Sequence, residues 1–391
     1  MAERVENYLT QKKNSSKSPD VAEIFQTFEK AYTKKLWHQL TTDVKNALSN
    51  QKFLAEVDLK ELYDNFIHEF ELRINPLQLV EISVPIAKFI FAKSPEESFK
   101  FIQNVKKAST VAKDKQALVR AESAEIELHL NNKSGGKCAN IAEIRGMIEA
   151  TQAKLEELVG VTPVHATFYK VSSLYLREIG NHAAYYREAL RYLGCEDLTK
   201  LTEEEKRMQA VLLGFAALLG ENIYNFGELL AHPILKSLEK TSEEWLVQLL
   251  YAFNSGDLEK FRNFEAQWKQ WPDIVLHMEL LEGKIRLLCL MEISLARPSK
   301  ERYITFSEIS QKAHVALNKV EFLVMKALSK GLVRGSIDQV EGIVNITWVQ
   351  PRVLSPDQIR AMAERMSEWK KDVDGMEGIL HENAREILVK T

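Results

Sequence analysis

From residue 303 to the end of the chain, the pattern of apolar and polar positions changes period three times. Tyr303, Ile304 and Thr305 read as a short apolar strand. Phe306–Ala313 reads as a short helix, with Thr305 as N-cap and Glu308 three residues on, the spacing of a capping box. His314–Ala316 makes a turn. Leu317–Lys330 reads as a second helix, with Val320, Leu323, Val324 and Leu328 on one face. Gly331 ends it, because glycine readily takes the left-handed conformation a helix C-terminus favours. The period then drops to two. Val333 and Ile337 alternate with Arg334 and Ser336, and beyond a turn at 338–342 Val344, Ile346 and Trp348 alternate with Asn345 and Thr347. This predicts a hairpin with one buried face, hence a small winged helix over residues 299–354.

The last 37 residues change again. Ser355, Pro356 and Gln358 supply an N-cap, a proline at the first helical position and a capping partner. Apolar residues then fall at Ile359, Met362, Met366, Trp369, Val373, Met376 and Leu380, alternating steps of three and four, a heptad seam. If helical to Lys390, this segment spans roughly 50 Å at about 1.5 Å per residue. Gly375 and Gly378 weaken it alone by roughly 1 kcal/mol each. It needs neighbouring helices, from this chain or from partners.

Upstream, helical spacing recurs. Residues 1–17 end in a polar run, Gln11–Lys17, and read as a flexible arm. Ser18-Pro19 opens a helix with Val21, Ile24, Phe25 and Phe28 on one face. Leu36 to Leu48 and Leu59 to Phe70 mark two more. Asn75-Pro76 starts another, which Pro85 should kink or divide. Ser94 to Glu97, Thr202 to Glu205 and Thr241 to Glu244 have capping-box spacing. Helices are also expected over 115–130, up to Val159, over Thr162–Ile179 and Ala183–Leu193, and, beyond Trp271-Pro272, over Ile274–Leu295. The pattern predicts a mainly α chain: a flexible arm (1–17), a TPR-like array of helical hairpins (18–163 and 164–298), the winged helix (299–354) and a terminal helix (355–391).

Composition narrows the function. The chain has 391 residues, 45% hydrophobic and 27% charged, with a net charge of −3. That is a globular balance without the basic excess of a dedicated nucleic-acid binder. Cys138, Cys195 and Cys289 form no CxxC, which argues against a disulfide framework or a zinc site. No apolar run approaches the length of a membrane span, and the N-terminus has no signal-peptide core.

Several chemistries fail on spacing. Gly135-Gly136-Lys137-Cys138 lacks both the earlier glycine (Asn131 stands there) and the hydroxyl after lysine that a phosphate-binding loop needs. His381-Glu382 starts like a helical zinc-protease motif, but Arg385 stands where the second histidine must be. His182 and His232 sit at helix junctions, where capping or packing is expected. Cys195 and Cys289 lie among apolar residues and read as small hydrophobes rather than nucleophiles. No nucleophile elbow occurs. Residues 300–352 hold eight basic and five acidic residues, with Lys319, Lys326, Lys330 and Arg334 on the polar side. That excess is thin for reading nucleic acid. A three-stranded sheet, by contrast, has open edges that can pair with another subunit.

A helical-hairpin array, a winged helix and a long terminal helix together resemble the PCI-domain proteins, scaffold subunits of the proteasome lid, the COP9 signalosome and a translation initiation complex. Particular stretches resemble a lid subunit: Tyr32 to Leu40 (YTKKLWHQL), Ile179 to Ala183, Asn225 to Leu230 (NFGELL), Leu250 to Gly256 (LYAFNSG), Val324 to Leu328 and Trp348 to Leu354 (WVQPRVL).

The resemblance implies a non-catalytic scaffold in the cytoplasm and nucleus, without cofactor or metal. Its partners would be other PCI subunits through winged-helix edges, the MPN-domain subunits through a helical bundle, and a neighbouring ubiquitin receptor. Expected bundle contacts are Ile359, Met362, Met366, Trp369, Val373, Met376 and Leu380. Expected edge contacts are Ile304, Val344, Ile346 and Trp348. The alternatives are a PCI scaffold of the signalosome or an initiation-factor complex, or a winged-helix nucleic-acid binder.

Overall fold

A computed structural model of the chain describes residues 2–16, 18–134, 137–138, 140–297, 302–353 and 356–388. The chain divides into two compact units, Met1–Lys200 and Leu201–Thr391.

Among its described residues, the regular structure of the first unit is helical apart from a two-residue antiparallel ladder, Lys133–Ser134 with Lys137–Cys138. Its core begins earlier than the sequence suggests. Ala2–Ser15 is a helix, not a flexible arm. Val5, Tyr8 and Leu9 fall at i, i+3 and i+4, and all three are buried. Gln11–Ser15, most of the polar run that points to an arm, belongs to this helix, where Lys12 pairs with Glu61 and Lys13 with Glu29. Phe25, Phe28, Phe53, Phe66 and Phe70 are fully buried behind it, with Phe25 and Phe28 edge to face.

Pro85 does not divide its helix, which runs from Pro76 to Lys93. The ring removes one main-chain donor, but Leu79, Ile82, Ile86 and Ile90 are buried on both sides of it, so packing carries the helix through. The capping box at Ser94 does not form: the hydroxyl makes no cap bond, and Lys60 takes the Glu97 carboxylate at 2.6 Å. The hairpin Pro163–Ile179 and His182–Cys195 belongs to this unit. Val164, Phe168, Val171 and Tyr175 share a core with Val119, Ile126 and Ile144. The compact division therefore falls at Lys200 rather than at 163.

The second unit opens with Glu203–Leu219, where the expected capping box is made: the Glu205 amide donates to Thr202 Oγ1 and the Thr202 amide to the Glu205 carboxylate. The next box is displaced. Its helix runs Glu244–Ser255 with Glu243 at the N-cap. The long apolar stretch before the winged helix breaks at His277 into Pro272–Leu276 and Met278–Leu295. The winged helix follows the reading closely, with helices Phe306–Ala313 and Leu317–Ser329 and a three-stranded antiparallel sheet. Ile343–Val349 is the central strand, Tyr303–Thr305 and Val333–Asp338 the outer two.

The hairpin carries one irregularity. Arg334 faces Trp348 and Gly335 faces Ile346, so Thr347 is an extra residue in the central strand. The bulge shifts the alternation: Val349 is buried, whereas Trp348 is half-buried with the Arg334 guanidinium 4.8 Å from its ring. Gly335 is required there, because a Cβ would lie 2.0 Å from the Asn345 carbonyl oxygen.

Candidate functional site

Three of the stretches singled out in the sequence converge in the second unit. The segment after the central strand turns back onto the helices. Arg352, its side chain 3% exposed, forms an ion pair with Glu292, and its Nη1 donates to the Asn254 carbonyl at 2.9 Å. Burial pulls the guanidinium below its ordinary pKa; the carboxylate and the carbonyl hold its charge. Beside it Val353 packs so closely on Gly227 that a Cβ on that glycine would sit 2.3 Å from the valine Cβ. Phe226 and Phe253 meet ring to ring at 6.1 Å. Thus residues of NFGELL, LYAFNSG and WVQPRVL meet in one joint between helices and winged helix.

That helix runs from Pro356 to Leu388, 33 residues. Every described side chain from Ile359 to His381 is exposed. The seven predicted seam residues are among them: Trp369 and Met376 are each 68% exposed, and Val373, the least exposed, 46%. Ile379, 61% exposed, adds an apolar position that the heptad count passed over. An apolar row this long on a solvent-facing helix is unusual for the surface of a lone soluble chain. The proposed caps at Ser355 and Gln358 lie outside the described residues and side chains, as does Glu382 of the His381-Glu382 pair.

The predicted winged-helix edge needs correction. Ile304, Val344 and Ile346 are buried and form the module's core. Val344, Ile346 and Trp348 also lie on the central strand, which is hydrogen-bonded on both sides and can accept no further strand. The period-two pattern identified the buried face; strand order, which it does not encode, decides the edges. The open edges belong to Tyr303–Thr305 and Val333–Asp338. The second helix shows a further surface: Phe322 and Met325 are exposed between Lys319 and Lys326. Both lie off the face of Val320, Leu323, Val324 and Ala327, so a helical wheel could have found them.

His232, Cys289 and Lys284 have structural partners. His232 caps the turn Pro233–Leu238, the Ile234 amide donating to its Nδ1 at 3.2 Å, and burial lowers its pKa. Cys289 is buried, its thiol donates to the Lys312 carbonyl at 3.5 Å, and burial pushes it up to about 11. Lys284 is a buried cation that sequence reading missed. Its Nζ donates to the carbonyls of Ala217 (2.6 Å), Leu218 (3.0 Å) and Gly220 (3.0 Å), closing the end of Glu203–Leu219. Burial pushes it down to about 7, while the carbonyl end of the helix favours the charge. Gly135 and Gly136 lie outside the described residues. Among the described residues no group of three or more His, Cys, Asp or Glu could hold a metal ion, and no helix is long and apolar enough to cross a membrane.

Comparison with known proteins agrees with this layout. The family model for PSD13 N-terminal repeats matches residues 24–250 and the PCI domain model matches residues 258–348. The chain belongs to the 26S proteasome non-ATPase regulatory subunit 13 family. The subunit of that name from Dictyostelium discoideum is 36% identical over 90% of both chains. Homolog B from Arabidopsis thaliana is 36% identical over 93% of both. The 26S proteasome regulatory subunit RPN9 of Saccharomyces cerevisiae is 33% identical over 91% of both. The joint at Arg352 thus lies where the PCI match ends, and the exposed seam lies wholly beyond it.

Proposed function

We propose that the chain is a non-catalytic scaffold subunit of the regulatory-particle lid of the 26S proteasome, working in ubiquitin-dependent protein degradation in cytoplasm and nucleus. The observation that carries this is the terminal helix: a member of this family presents seven apolar seam residues to solvent on the helix that follows its PCI module. Such a row gains from burial roughly 25 cal/mol per Å2 once covered by partner helices. The partners are the other PCI and the MPN-domain subunits of the lid, with a ubiquitin receptor as a further neighbour. The free edges at Tyr303–Thr305 and Val333–Asp338 suit strand addition by an adjoining winged helix.

The test is affinity purification of the tagged full-length chain with mass spectrometry of its companions. Lid subunits in near-equal amounts are expected. Trp369→Asp combined with Val373→Asp should leave the chain folded and soluble yet remove those companions, as should truncation after residue 354. Normal recovery of the lid with both altered chains would falsify the bundle role. Recovery of signalosome or initiation-factor subunits instead would keep the PCI fold and overturn the assignment.

A further inference from the structure

The first turns of the terminal helix run beside the end of Met278–Leu295 and leave an apolar groove of about 690 Å3 between them. Leu295 and Ala296 form one wall; Met362, Met366 and Trp369 form the other. Three of the seven seam residues therefore line a cleft whose second wall is this chain's own body. Arg302 and Arg365 line the same groove. Among the described residues their hydrogen bonds go to main-chain oxygens: Arg302 Nε donates to the Arg297 carbonyl and Arg365 Nε to the Ala361 carbonyl, both at 3.3 Å. Among the described residues neither guanidinium has a carboxylate within ion-pair distance. The acid that also lines the groove, Glu292, is held by Arg352.

We propose that this groove seats one amphipathic helix of a partner chain, its apolar row between Leu295 and Met366 and its acidic side chains on Arg302 and Arg365. The proposal rests on the scaffold reading and deepens it, giving the chemistry of one partner. The charge pattern selects the occupant. A purely apolar helix would leave two guanidiniums beside a closed interface without a counter-charge, and a basic one would be repelled. A carboxylate can take two parallel bonds from a guanidinium fork, which also fixes the register of the incoming helix. The groove is too small for a whole helix, so it takes one row of side chains while the helix itself lies along its mouth.

The experiment uses the full-length chain co-expressed with the other lid subunits. Arg302→Glu with Arg365→Glu should lower incorporation roughly tenfold or more by setting like charges together, while Arg302→Lys with Arg365→Lys retains most of it. The melting temperature of the isolated chain should stay unchanged; if the reversal lowers it, Arg302→Gln with Arg365→Gln serves for the same readout. In parallel, Ala361→Cys labelled with benzophenone maleimide and photolysed in the assembled complex should capture a peptide with apolar residues at helical spacing and flanking Asp or Glu. Normal incorporation of the reversed pair, with Trp369→Asp plus Val373→Asp still excluded, overturns the groove and leaves the scaffold reading standing. Normal incorporation of both sinks both. A captured peptide without acids, or one from this chain or a second copy of it, also overturns the proposal.

Discussion

Two helices of the second unit carry dense apolar spacing and end in opposite environments. Met278–Leu295 buries Leu281, Ile285, Leu287, Leu288, Leu290 and Met291, residues that point in nearly every direction around its axis. Pro356–Leu388 buries none of its described side chains. The difference lies in the width of the apolar stripe. A helix apolar on all sides can be satisfied only inside a core. A helix with a single seam in steps of three and four is satisfied by one or two other helices along its length. Where the chain offers none, the seam remains exposed.

This contrast can be broken by substitution, beginning where the body should respond most. Arg352→Ala removes the buried partner of Glu292 and the donor to the Asn254 carbonyl. We expect a loss of about 3 kcal/mol, seen as an earlier midpoint in denaturant. Lys284→Met leaves three carbonyls at a buried helix end without a donor, and about 2 kcal/mol should be lost by the same measurement. Gly227→Ala forces a methyl group against Val353; about 1–3 kcal/mol is expected, with the melting temperature as the check. An unchanged melting temperature would mean that the joint yields easily.

A smaller effect is set by pH. His232 is held below its ordinary pKa by burial and accepts a cap bond only when neutral. The unfolded chain therefore takes up this proton at higher pH than the folded one does. The His232 contribution is complete above about pH 6.5 and is lost as pH falls further toward the lowered folded pKa. His232→Asn, which also caps, should flatten that part of the stability curve. The smallest effect belongs to the other helix: Trp369→Ala should change the stability of the isolated chain by less than about 0.5 kcal/mol. A loss comparable to that at Arg352 would show that the seam is packed within the free chain after all.

Much of the fold was legible in advance because it rests on local rules. Thr202 with Glu205, Thr305 with Glu308 and the left-handed Gly331 (φ +67°) stand where capping chemistry places them. Where the structure departs from the local pattern, particular contacts are responsible. In residues 1–17 the polar end suggests an arm, while Val5, Tyr8 and Leu9 carry the helical signal. Ser94 lost its box because Glu97 found a better partner in Lys60, distant in sequence. The alternation of Val344 and Ile346, and the apolar Ile304, tell which face is buried and nothing of which strand lies in the middle.

The sequence by itself determined the succession of helices, the winged helix, the seam from Ile359 to Leu380 and the family, since each follows from spacing within a few residues or from ordered matches along the chain. Only the tertiary structure decided that three separated stretches meet at Arg352, that a bulge at Thr347 turns Val349 inward in place of Trp348, that Lys284 closes a helix more than sixty residues away, and that the groove between Leu295 and Met366 exists. These depend on which distant surfaces touch. Burial and charge pairing are settled by contacts between segments, and no local period encodes them.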